Sequence, residues 1–176
     1  MNTLCWIVGA PGVGKTTIAR QLLDPDSYLI PKPKWTVGEG VVAAGHYSGQ
    51  TFDGADMVPY NGAKEALAYW AAHLKNTKLT LFDGDRFSNA GAVEYLRAAA
   101  PDSHFMVVLV LAEQATLDAR RAARGSNQDP VWMKGRVTKA HNFAALPSWN
   151  ASHTVSSDLA PEEVAKQVRD LIAIRA

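Results

Sequence analysis

Cysteine is almost missing: Cys5 is the single one in 176 residues. One thiol forms no internal disulfide, which fits a reducing compartment. Its place in an apolar run marks a buried, inert side chain. Long hydrophobic runs are missing as well. The longest strongly apolar stretch, Phe105 to Ala112, falls far short of the ~20 residues a membrane span needs. The N-terminus has no basic segment followed by an apolar core and a cleavage site, so no signal peptide is expected. The expected location is the cytoplasm. Excess charge is missing too: the formal net charge is +1, so no global field argues for nucleic acid or membrane. Local clusters could still act on either. No internal repeat or low-complexity tract occurs, and nothing points to an obligatory protein partner.

What is present is an ordinary globular composition. At 47% apolar and 20% charged, the chain can bury a real core. Its length predicts one domain over residues 1–176. Leu4 to Val8 reads as a buried strand that breaks into glycines, and Lys15 to Leu23 as a helix. The stretch "DPDSYLIPKPKW" is loop-like, with a short strand at Tyr28 to Ile30. Val41 to Ala44 and Tyr47 to Phe52 read as short strands around a turn. Gly62 to Leu74 is helical, with Ala63, Ala66, Leu67, Trp70 and Leu74 on one face. "KLTLFDGD" is a strand ending in acids, and Ala90 to Ala99 a helix stopped by Pro101. "HFMVVLVLA" is a continuous apolar strand of the kind covered on both faces. Helices follow at Glu113 to Arg124 and Val131 to Ala145. "SHTVSS" is a weak last strand, and "DLAPEEVAKQVRDLIAI" a helix with Pro161 and two acids in its first turn.

This alternation predicts an α/β fold, a parallel sheet of about five strands with helices on both faces. Residues 31–60 form an insertion too long for a plain connection. Its four aromatics, Trp35, Tyr47, Phe52 and Tyr60, favour an ordered loop or hairpin that carries function.

The segment from Gly9 to Thr16 has the form G-x-x-x-x-G-K-T between a strand and a helix. Such a loop turns its N–H groups toward phosphate oxygens, and Gly9, Gly12 and Gly14 allow the close approach, with Val13 among them. Lys15 should reach the β- and γ-phosphates, the Thr16 hydroxyl should bind Mg²⁺, and Thr17 is placed for another phosphate. The fold expected is thus the P-loop NTPase fold. The GTPase motifs D-x-x-G and N-K-x-D are both absent. Gly84 follows Asp83, where a motor-type ATP hydrolase usually carries glutamate. These absences favour a transferase.

Asp83 and Asp85 stand at the C-terminal end of a strand, where an open parallel sheet binds ligands. A carboxylate there can hold Mg²⁺ or take a proton from an attacking hydroxyl. Arg86 is near enough to address a phosphate or an acceptor. An acidic turn capping the next helix at Asn89 is the plainer reading. Arg120, Arg121 and Arg124 end a helix, and Arg120 and Arg124 share a face. Arginines closing over a transferring phosphoryl group would stabilise its charge, which makes 120–136 a lid region. Basic residues also favour helix C-termini for the dipole alone. Downstream, Lys134, Arg136, Lys139 and His141 suit either nucleic-acid contact or a solvated face. In the insertion, Tyr47, Phe52 and Tyr60 offer rings for stacking. Asp56 could bind an acceptor hydroxyl, act as its base, or simply occupy a turn.

With "GAPGVGKTT", "FDGDRF" and "RRAARGSNQ" in place, most of the chain resembles a small P-loop kinase of the nucleoside, nucleotide and polynucleotide kinase group. The features "GHYSGQTFDGAD", "FDGDRFSN" and "RGSNQDPVWMKGRVTK" are similar in pattern to bacteriophage 5-hydroxymethyluracil DNA kinases. That resemblance implies ATP and Mg²⁺ as cofactors, with Lys15 and Thr16 serving them. It implies an acid next to Mg²⁺ or the acceptor at Asp83 or Asp85, and Arg120 or Arg124 over the phosphate. The acceptor implied is the hydroxymethyl group of a modified base in DNA, a step in thymidine hypermodification, in a host cytoplasm. Lys32, Lys34, Arg86, Lys134, Arg136 and Lys139 could converge to supply the basic surface that net charge does not show. Two other readings stand: a kinase of a free nucleoside, nucleotide or small metabolite, and an ATP-dependent binding module with no acceptor. The sequence leaves open which of Asp56, Asp83 and Asp85 is the base, and ATP against GTP.

Overall fold

The computed structural model describes residues 2–49 and 53–174. A seven-stranded sheet runs through the centre. β1 (Thr3–Gly9) is flanked by β5 (Leu79–Asp83) and β6 (His104–Leu111), both parallel to it. β4 (Val41–Ala44) lies parallel outside β5, and β7 (Ala151–Ser156) parallel outside β6. These are the expected parallel strands. Beyond β4 the sheet continues through two antiparallel strands, β3 (Trp35–Val37) and β2 (Tyr28–Ile30).

That edge corrects two expectations. Trp35–Val37 is a strand although prolines precede it, because Trp35 is fully buried beside Ala44 of β4. Tyr47 to Gly49 forms no strand; the chain there is shaped by one isolated bridge, His46 to Gly54. Phe52, expected to end that strand and to stack on an acceptor, lies outside the described residues.

Period-two alternation divides the core. Leu4, Trp6 and Val8 of β1 face one cluster, which also holds Trp35, Trp70, Phe82 and Phe105. Cys5 and Ile7 face the other, with Ile18, Met106, Val108 and Val164. Both faces are covered, so all seven residues of β1 are buried. Burial pushes the Cys5 thiol up to about 12, consistent with an inert side chain. The helices carry the covering. α1 (Lys15–Leu22) and α6 (Pro161–Ala173) lie over the second cluster, with Ile18 and Val168 buried in it. α2 (Ala63–Tyr69) runs on into a π turn at Trp70–Leu74, so the predicted helical face is continuous. α3 (Ala90–Ala99) is capped by the Asn89 side chain, which accepts from the Ala92 N–H. α4 (Gln114–Ala123) and α5 (Pro130–Ala144) complete the layers. Among the described residues no helix is long and apolar enough to cross a membrane.

Candidate active site

β1 ends at Gly9 and α1 starts at Lys15, so the loop between them sits at the C-terminal edge of the sheet. Gly14 caps α1 at φ 99°, a left-handed conformation that a side chain would strain. Two arginines of α4 hold this loop from its carbonyl side. Arg120 donates to the Val13 carbonyl at 3.2 Å and to the Ser157 carbonyl at 2.6 Å. Arg121 donates to the Pro11 carbonyl at 3.3 Å. Helical spacing pairs Arg120 with Arg124; the other arginine of the run, Arg121, reaches a carbonyl 110 residues away, a contact that leaves no local pattern. Arg124 caps the end of α4. With Arg120, Val13, Gly14 and Thr17 it lines a cavity of about 100 Å³, closed by Ser157 and Leu159. A larger groove of about 420 Å³, between the start of α3 and α5, includes Lys139, which donates to the Asp85 carbonyl. The smaller cavity touches the P-loop through Val13, Gly14 and Thr17.

Lys15 folds back onto the loop and donates to the Gly9 and Ala10 carbonyls at 3.0 and 2.9 Å. Burial holds its ammonium below the usual lysine value, against the pull of Asp83, Asp85 and Asp56. Asp83 is the most engaged of the three acids. Its Oδ2 accepts from the Thr16 hydroxyl at 2.6 Å. Its Oδ1 accepts from the Tyr47 hydroxyl at 2.6 Å and the Ala55 N–H at 2.8 Å. Tyr47, expected as a stacking ring, instead packs against the second core cluster. Burial first, and then the Asp83 charge, push its phenol well above the ordinary value, so it remains a donor.

Asp85 takes another role. Its carboxylate pairs with Arg136 at 2.7 Å, and Lys139 donates to its backbone carbonyl at 3.3 Å. α5 is thus tied to the loop after β5. Asp56 lies exposed in a short helical turn, Ala55–Met57. Gly84 stands at φ 72° beside both the Asp56 carboxylate and the Lys15 side chain. Burial first, and the Asp83 charge second, push the Asp56 carboxyl above its usual range; Lys15 and Arg86 pull it back.

The cleft is rimmed by two cation–aromatic pairs. The Arg86 guanidinium lies 3.6 Å from the Tyr60 ring centroid, and Arg136 lies 4.8 Å from that of Trp132. Tyr60 is 77% exposed and Trp132 42%, so both rings keep accessible surface. The Nε and Nη1 atoms of Arg86 are buried without a hydrogen-bond partner. Of the basic residues expected to converge, Arg86, Arg136 and Lys139 meet around residue 85.

Asp53 had no sequence signal, since its partners are backbone groups and one distant side chain. It accepts from the Ser48 and Gly49 N–H groups and pairs with Arg20 of α1 at 2.7 Å. Burial would push its carboxyl up, but these donors outweigh it and hold the group below the usual carboxylate range. Its stabilising contribution is therefore present at neutral pH and lost as pH falls through that lowered value. Asp53→Ala should cost about 2–3 kcal/mol, the low end for a buried pair because Arg20 stays partly solvated. Thermal melts at neutral pH should show a drop of about 5–10 °C. An unchanged melting temperature would remove Asp53 as an anchor.

The sequence pattern of one family, P-loop Nucleotide Kinase3, matches residues 1–172. The chain belongs to that family. It is a P-loop kinase, a phosphotransferase. No match was found among curated proteins. Among solved structures it is similar to a gluconokinase from Sinorhizobium meliloti 1021, with TM-score 0.50 and 12% identity over 99% of this chain and 93% of that one. A tunicamycin resistance protein from Deinococcus radiodurans gives TM-score 0.50 and 17% identity over 98% and 96%. At such identities the likeness is one of fold.

Proposed function

We propose that this kinase moves the γ-phosphate of ATP to a hydroxyl group on a base within DNA, with Asp56 as the base. The nucleotide lies along Gly9 to Thr17, its adenosine toward the cavity beside Arg120 and Arg124. Lys15 leaves the Gly9 and Ala10 carbonyls for the phosphates. Thr16 and Asp83 suit Mg²⁺: a hydroxyl and a carboxylate already 2.6 Å apart, the sparse protein donor set that this ion accepts alongside phosphates. Bound there, the ion would neutralise charge on the β- and γ-phosphates. Both Asp83 oxygens are engaged by donors, and Asp85 is held by Arg136, which leaves Asp56 to receive a proton. The acceptor oxygen forms a bond to γ-phosphorus as the bond to the β,γ-bridging oxygen breaks. ADP departs, and the hydroxyl proton passes to the Asp56 carboxylate.

The observation that carries the acceptor class is the rim. Tyr60 with Arg86 and Trp132 with Arg136 pair exposed rings with guanidinium groups, and Arg136 also pairs with Asp85. Rings of this kind stack bases, and arginines take phosphate oxygens. The resemblance to 5-hydroxymethyluracil DNA kinases names the hydroxymethyl group as the hydroxyl. A second reading, a kinase of a free nucleoside, nucleotide or small metabolite, is favoured by the net charge of +1 and by a structural neighbour titled gluconokinase.

Label transfer from γ-labelled ATP with Mg²⁺ separates them. DNA containing 5-hydroxymethyluracil, ordinary DNA, and a panel of nucleosides, nucleotides and sugar acids are offered side by side. Label on the modified DNA alone is the expected result. Label confined to a small molecule would overturn the DNA reading and leave the kinase standing.

A further inference from the structure

Asp83 is shared between two parts of the chain. Thr16, on the nucleotide side, holds one oxygen at 2.6 Å. Tyr47 and Ala55, both in the insertion, hold the other at 2.6 and 2.8 Å. The insertion has a second tie to the nucleotide side through Asp53 and Arg20. Its neck is tight. The Gly54 N–H donates to the His46 carbonyl at 2.6 Å, and a Cβ on Gly45, which stands at φ 95°, would collide with the Gly54 carbonyl. A Cβ on Gly54 would lie 2.8 Å from both Asp83 oxygens. The carboxylate is thus closed in by backbone on one side, and a single side-chain hydroxyl from the insertion completes its hold.

We propose that Tyr47 is a positioning residue whose phenolic O–H fixes the Asp83 carboxylate in the orientation it needs to hold Mg²⁺ with Thr16. The inference rests on the role given to Asp83 above. It makes the acceptor insertion part of the nucleotide site. A carboxylate that lost the phenol would keep one donor on Oδ1 and turn more freely about its last torsion. Outer partners that orient a metal-holding carboxylate commonly contribute 10- to 100-fold, roughly, to metal affinity.

Tyr47→Phe tests this, because it keeps the packed ring and removes only the hydroxyl. The binding of a fluorescent ATP analogue is titrated with Mg²⁺ and repeated in EDTA, with no acceptor present. Thermal melts are run on the same samples, and Asp83→Asn is carried in parallel. The expected result is a Mg²⁺ half-saturation raised about 10-fold. Affinity in EDTA should be unchanged, and the melting temperature should stay within a few degrees. An unchanged Mg²⁺ half-saturation in Tyr47→Phe, with Asp83→Asn shifted, overturns the role of Tyr47 alone. No shift in either variant overturns the assignment of Asp83 and the inference with it. Equal losses with and without Mg²⁺, together with a lowered melt, would make Tyr47 merely structural and also overturn it.

Discussion

Lys15→Ala is expected to abolish phosphoryl transfer, with a loss in kcat of about 10³-fold or more. Lys15 is the first residue of α1, and Asp83, Asp85 and Asp56 all act on its charge. In the transition state, charge spreads over the equatorial phosphate oxygens. No backbone amide carries the full positive charge that Lys15 brings to them. The fold should survive, because the side chain contributes two hydrogen bonds to loop carbonyls at a partly buried position. Steady-state kinetics beside a thermal melt check both halves of this prediction. Full activity in a folded Lys15→Ala variant would remove the nucleotide site from this loop.

Asp56→Asn should be almost as damaging, lowering kcat by about 10²- to 10⁴-fold, the range for losing a positioned general base. The pH profile gives the sharper test. Burial and the Asp83 charge raise the Asp56 carboxyl above its ordinary 3.8. A base works only when deprotonated, so wild-type activity should fall as pH drops through that raised value. The acid limb should lie above the ordinary carboxylate range, and Asp56→Asn should lack it. Stability runs the other way. A carboxyl raised on folding stabilises only where it is protonated, and that contribution is lost as pH rises through its folded value. At neutral pH Asp56 is therefore a cost to the fold, and Asp56→Asn should melt no lower than wild type. A variant with wild-type kcat and an unchanged acid limb would move the proton acceptor to another residue.

The parts of this molecule that were legible in sequence are those whose partners are near in the chain. The phosphate loop is contiguous, so its glycines, Lys15 and Thr16 stand together. β1, β5 and β6 announce themselves as apolar runs because both faces are covered. Asp83 follows from a general rule about strand ends. The antiparallel edge was half visible: Tyr28–Ile30 and Val41–Ala44 were found, while Trp35–Val37 was hidden behind Pro31 and Pro33. Partners distant in sequence left no trace. Tyr47 reaches Asp83 across 36 residues, Arg20 reaches Asp53 across 33, and Arg121 reaches Pro11 across 110. Spacing identifies which residues share a helix face, but it does not say which backbone carbonyl a guanidinium will find.

Those distant contacts change what happens when nucleotide arrives. The carbonyls of Pro11 and Val13 are already occupied by Arg121 and Arg120. These contacts restrict the loop, and the conformational entropy they remove is surrendered during folding. On nucleotide binding, Lys15 would have to leave the Gly9 and Ala10 carbonyls. A receptor preorganised in this way should exchange ADP for ATP without the slow step of ordering a disordered loop, leaving the turnover rate to be set by the acceptor side.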